Sequence, residues 1–209
     1  MRVTPLLIGL AVAAQASAVL AQPNLRSSFP GRRVGGGTRG ECTARVLAHL
    51  VPASSVFAPG GTGLIGVLEG PTANPRPVVI SFRHMNASGS SDGARTLLSS
   101  RELPASSAGV TLLAVALRGA TVWESNYSCD EGVADPADPL AMVSSQAPPA
   151  VSLLLTDATP ADTALQAKIK GLKALCGKTV SREQLASSFD LADVLSADWP
   201  DQLPVRCPS

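Results

Sequence analysis

Apolar and polar positions alternate in short runs over the first two thirds of this chain, and that pattern predicts strands. After a polar stretch at 22–41, apolar runs fall at 43–51, 64–68, 77–83, 94–103, 110–117 and 121–129. Turn-forming segments separate them: PASS and APGGTG, EGPTANP, MNASGSSDG, PASSAG and RGA. Short runs bounded by Gly, Pro, Asn and Ser are strand signals, and six in succession without a helical period predict an antiparallel β-sandwich-like domain over 40–130. The segment TVWESNY at 121–127 alternates most clearly, which places Trp123 and Tyr127 on one face of a half-buried strand, as core.

The pattern changes in the last third. Residues 131–150 are rich in Pro, Ala, Asp and Ser and read as a linker or long surface loop. VSLLLT at 151–156 is one more strand. Thr159 can then cap a helix, Pro160 suits its first position, and Asp162 places a negative charge near its start. Leu165, Ile169, Leu172 and Cys176 recur at helical spacing, and Gly177 is placed to stop the helix. Ser181 with Gln184 opens a shorter helix toward Phe189. The expectation is an α/β extension over 151–209, with its two helices and the tail packed on one edge or face of the β part.

The start of the chain changes the picture from a plain domain to an exported one. Arg2, the apolar stretch 5–14 (PLLIGLAVAA) and Val19-Leu20-Ala21 form a charged start, a short apolar core and a small-residue cleavage site. This predicts a signal peptide over 1–21, cut before Gln22. The apolar stretch is shorter than the roughly 18–20 residues a spanning helix needs, and no Cys follows the cleavage region to accept a lipid. The expected location is therefore the periplasm, the outer envelope or the exterior, with no stable membrane span after cleavage.

Charge adds an asymmetry and removes a function class. The formal net charge is +1, from 17 basic and 16 acidic residues. That balance gives no reason to expect a nucleic acid partner. Residues 22–129 carry ten Arg and five acids, while 130–209 carry six basic and eleven acidic residues. Pairing between the halves is the expected use of this difference. Within the Arg/Gly-rich lead-in at 22–39, Arg26, Arg32, Arg33 and Arg39, with Arg45 just beyond, are a possible polyanion contact, of which Arg32, Arg33 and Arg39 are the strongest candidates.

Four cysteines, Cys42, Cys129, Cys176 and Cys207, lie beyond the cleavage site, and an even count in an oxidising compartment reads as disulfides. Three connectivities are open. Cys42 with Cys129 and Cys176 with Cys207 is the expected pairing, because each pair then brackets one compositional half, and each bridge is worth roughly 2–4 kcal/mol. No metal site is expected: there is no C-x-x-C, and His49 and His84 stand far apart with no closely spaced ligand.

No motif specifies chemistry. GRRVGGGT at 31–38 lacks the Lys of a phosphate-binding loop, and Gly37 stands in its place. GSSDG at 89–93 fits G-x-S-x-G, yet in that fold the base follows the nucleophile, and both histidines precede Ser91. The acids Asp130, Glu131, Asp135 and Asp138 stand in loop-like sequence, where solvated turn acids are the rule. With four Phe, two Trp and one Tyr, a stacked sugar-binding platform is poorly supplied. His49 reads as an ordinary strand residue and His84 as an exposed strand end. No catalytic residue and no cofactor is assigned.

GRRVGGGTRGEC at 31–42, the HLVP that follows at 49–52 and VWESNYSCD at 122–130 resemble a family of exported cyanobacterial proteins known as domain of unknown function 928. The resemblance spans about 30–130 and departs at 77–82, where PVVISF stands in place of an aromatic-rich strand. It implies an exported, chiefly β domain and carries no activity. The functional expectation is a non-catalytic envelope module that binds another protein or a surface polymer, and the alternative is a hydrolase acting on envelope material.

Overall fold

The computed structural model describes residues 25–36, 46–85, 97–128 and 148–208. The expected signal peptide, Arg39, Arg45, the Cys42–Cys129 bridge, Ser91 and the linker up to 147 lie outside these residues, and of its last three positions Ala150 is a buried strand residue. The fold is mainly β: two mixed sheets that do not close into a barrel, in a β-sandwich-like arrangement.

The first sheet orders β1 (Val34–Gly35), β2 (Leu47–His49), β4 (Thr62–Glu69), β7 (Gly109–Ala116), β11 (Gln202–Arg206) and β10 (Thr179–Ser181). The second orders β3 (Val56–Phe57), β9 (Ala150–Leu154), β8 (Thr121–Tyr127), β5 (Arg76–His84) and β6 (Leu97–Ser106). Alternation decides which side chains meet between them. On β8, Trp123, Ser125 and Tyr127 are buried, while Glu124 and Asn126 are half-buried. On β5, Val78 and Ile80 are buried and Phe82 packs on the same core. Trp123, Phe57, Leu47, Ile65, Ile80 and Leu113 have almost no exposure, and full burial of each such side chain contributes about 1.5–3 kcal/mol or more.

The helices start where their caps predict. Thr159 precedes α2 (Pro160–Lys173), and its hydroxyl accepts from the Asp162 N–H at 3.2 Å while the Asp162 carboxylate accepts from the Thr159 N–H at 2.8 Å. Ser181 caps α3 (Arg182–Phe189) by accepting from the Gln184 N–H at 3.1 Å. Helix α2 lies along β4, where the Gln166 amide accepts from the Leu64 N–H and donates to the Leu64 carbonyl, both at 3.2 Å. Gly63 permits that approach, since a Cβ there would stand 2.5 Å from Gln166 Oε1. Gly177, with φ +75°, ends the following turns, and its N–H donates to the Val205 carbonyl at 2.9 Å.

Among the described strands of 40–130 every pairing is antiparallel, as expected: β2 with β4, β4 with β7, β5 with β6 and β5 with β8. The two parallel pairs, β3 with β9 and β7 with β11, are made by strands from the last third of the chain. Parallel neighbours need a long crossover between them, and the connection from β7 to β11 passes through β8, β9, α2, β10 and α3. From the segment expected as an α/β extension, β9 sits between β3 and β8 in one sheet and β11 between β7 and β10 in the other. Strand β7 carries main-chain donors and acceptors on both sides, and β11 supplies their partners on the side away from β4.

The lead-in is likewise built into the fold. Its short helix α1 (Leu25–Ser28) is followed by Arg32, which exchanges backbone hydrogen bonds with Val151, and by β1, which pairs with β2. Among the described residues, no helix is long and apolar enough to cross a membrane.

Candidate functional site

Between the sheets, β2 of the first meets β8 and β9 of the second through a polar cluster. His49 has no solvent exposure and lies on the Trp123 ring, with ring centroids 3.4 Å apart and planes 10° from parallel. Its Nδ1 is 2.8 Å from Ser152 Oγ and its Nε2 is 2.9 Å from Ser125 Oγ. The Trp123 indole N–H donates to the same Ser125 oxygen at 3.0 Å. Burial holds the imidazole well below its ordinary pKa, so it is neutral, and a neutral imidazole offers one donor and one acceptor. Each ring nitrogen therefore uses one serine, in opposite senses.

A histidine between two serines has the parts of a nucleophile and its base. Ser125, Ser152 and His49 are all fully enclosed, however, so no substrate reaches either hydroxyl. The cluster ties the two sheets together. The reading of His49 as a strand residue was right about its place and silent about this polar role.

A solvent-facing site forms at one end of the sandwich. There the end of β7, the start of β8, the end of β5 and the start of β6 enclose a cleft of about 410 Å³. Its apolar lining includes Phe82, Leu98, Val115 and Leu117. His84, Ser99, Thr121 and Arg118 also line it, and among the described residues no Asp or Glu does. Arg118 is exposed and makes no hydrogen bond or ion pair among the described residues.

A β-bulge shapes the lip of this cleft. Phe82 pairs with Ser99 and Arg83 with Leu97, so Leu98 is the extra residue on β6. Such an insertion re-aims side chains. Leu97 and Leu98 are 50% and 46% exposed. The sequence carried one trace of this, an apolar doublet that breaks the alternation of the 94–103 run. Nothing in sequence linked that doublet to Arg118.

Of the polyanion candidates, Arg39 and Arg45 lie outside the described residues, and Arg26, Arg32 and Arg33 have different surroundings. Arg33 is buried, and its guanidinium donates to the carbonyls of Val51 at 3.0 Å, Phe189 at 3.1 Å and Asp190. It joins the lead-in to the end of α3 and cannot also face a polyanion. Arg26 pairs with Asp162 at 2.8 Å. Arg32 is exposed. The expected Cys176–Cys207 disulfide is present, and among the described residues no group of three or more His, Cys, Asp or Glu could hold a metal ion.

A second buried polar group lies at the far end of β4. The Glu69 carboxylate accepts from Ser106 Oγ at 2.7 Å and Thr111 Oγ1 at 3.3 Å, with Arg206 Nη1 at 3.7 Å. Burial raises its pKa, against the lowering effect of those hydroxyls and of Arg206. Glu69 anchors the C-terminal strand and is not part of the cleft.

No family model, no curated protein and no solved structure matches this chain.

Proposed function

We propose that this protein is a non-catalytic binding module of the cell envelope, and that its contact surface is the open end of the sandwich. The observation that carries this reading is the exposed pair Leu97 and Leu98 on the lip of the cleft, the large hydrophobic side chains left most open to water among the described residues. Apolar area held in water is unfavourable by about 25 cal/mol per Å², and a partner that covers it recovers that free energy.

An apolar lip favours a protein segment over a sugar polymer, which needs aromatic platforms and dense hydrogen bonding. Strand addition along β6 is disfavoured by its own sequence. Pro104 removes a donor, Arg101 and Glu102 place charge along the edge, and two register shifts interrupt the ladder. Contact through side chains at the lip is the better fit. The enclosure of His49, Ser125 and Ser152 favours binding over hydrolysis. The leader at 1–21 supports an exported setting, as does the resemblance over 30–130. The Cys176–Cys207 bridge suits an oxidising compartment.

The test is photo-crosslinking in the native cell from position 98, with position 183 on α3 as the control. A discrete crosslinked envelope protein from 98 and not from 183 is the expected result. Equal, diffuse labelling from both positions would overturn the assignment of the contact surface.

A further inference from the structure

We propose, resting on the reading of the open end as the contact surface, that the cleft receives the carboxyl-terminal residue of an envelope protein ending in an aliphatic side chain. The terminal carboxylate is held at Arg118, and the side chain lies against Phe82, Val115 and Leu117.

Charge complementarity is the first reason. Among the described residues the cleft combines an apolar floor with one guanidinium that makes no hydrogen bond or ion pair, and no carboxylate lines it. The complementary ligand carries an anionic group on an apolar stem. A guanidinium offers a planar fork of donors that matches a carboxylate, and a chain terminus is the carboxylate that stands beside an aliphatic side chain.

Size and surroundings favour a chain end over a free fatty acid or a long polymer. About 410 Å³ lies toward the small end of ligand sites and suits one or two residues. A free acid filling the cleft would cover Leu98 in its lining but leave Leu97 beside it 50% open to water. A polypeptide continues outward over it. Ser99 and His84 in the lining supply hydrogen-bonding groups that peptide amides can use and an alkyl chain cannot.

The experiment is fluorescence anisotropy on the exported protein with three probes: a labelled hexapeptide ending in Leu-Leu with a free carboxylate, the same peptide as its carboxamide, and labelled decanoate. The expected result is that the free-acid peptide binds and the carboxamide binds at least about tenfold more weakly. Arg118→Gln should remove that difference, and Leu98→Ser should weaken both peptides. Arg118 is exposed and makes no hydrogen bond or ion pair among the described residues, so an unchanged melting temperature for Arg118→Gln is the control for folding.

Equal binding of acid and carboxamide overturns recognition of the carboxylate and leaves the contact surface standing. Binding of decanoate without the peptide overturns a chain end as occupant. Binding of no probe overturns the inference, while crosslinking from position 98 reads separately whether the open end still meets a partner.

Discussion

His49 lies flat on Trp123 across the interface of the two sheets, with ring centroids 3.4 Å apart, and each of its ring nitrogens meets a buried serine. Buried polar groups stabilise only while they are mutually satisfied, so the cluster should respond unevenly to substitution. His49→Leu should cost about 2–4 kcal/mol, because it strands the hydroxyls of Ser125 and Ser152 and removes the stacked ring. Adding Ser152→Ala should recover about 1 kcal/mol of that loss by deleting one stranded group. Urea denaturation of the two variants measures both, and a double variant weaker than the single one would refute the account.

Asp162 is the point where α2, the lead-in and the strand connection meet. Burial pushes its pKa up, but hydrogen bonds from the Thr159 hydroxyl and N–H, the Ala58 N–H and Arg26 outweigh that and hold it below the ordinary range. A lowered carboxylate pKa contributes stability above the unfolded-state value and loses it as pH falls through the folded-state value. Asp162→Asn should therefore cost about 1–3 kcal/mol at neutral pH, and the gap from the unsubstituted protein should close in acid. Thermal melts over a descending pH series give the comparison.

Glu69 should behave with the opposite sign. Its pKa is raised, first by burial, with Ser106, Arg206 and Thr111 pulling against that shift. The stability linked to such a group is complete below the unfolded-state value and declines as pH rises through the folded-state value. Glu69→Gln keeps an acceptor without a titrating charge. The lead of the unsubstituted protein over Glu69→Gln should shrink as pH climbs from about 4 toward neutrality. A gap that widens over that range would contradict the assignment.

The bridge between Cys176 and Cys207 spans 31 positions and fastens the end of β11 near the end of α2. Cys176→Ser with Cys207→Ser should lower stability by about 2–4 kcal/mol through the freer unfolded chain. It should also speed amide exchange at Val205, whose N–H donates to the Lys178 carbonyl at 2.9 Å. Exchange mass spectrometry resolves the local effect from the global one.

The residues that announced themselves in sequence are those whose partners are close along the chain. Thr159 and Asp162, or Ser181 and Gln184, are three positions apart, and the spacing already dictates which side chain reaches which N–H. The alternation in TVWESNY likewise fixes one buried face for Trp123 and Tyr127. The pairing of Cys176 with Cys207 was legible because each remaining half of the chain had its own two cysteines. Arg33 shows the limit: it reads as one of a basic cluster, yet its guanidinium meets carbonyls 156 and 157 positions away.

What the sequence alone determined is a set of local choices, strand against helix, cap against interior and inward against outward face, because each depends on backbone geometry over a few residues. Tertiary structure decided the rest. Strands β9 and β11 entered the two sheets beside partners distant in sequence because open edges accept a strand on hydrogen-bonding grounds, and side-chain patterns carry no address for that partner. The one-residue slip at Leu98 and the placing of that leucine and Arg118 on one cleft depend on the register of β5 with β6 and on the stacking of one sheet over the other. Those are long-range geometric facts, and they exist only once the chain has closed on itself.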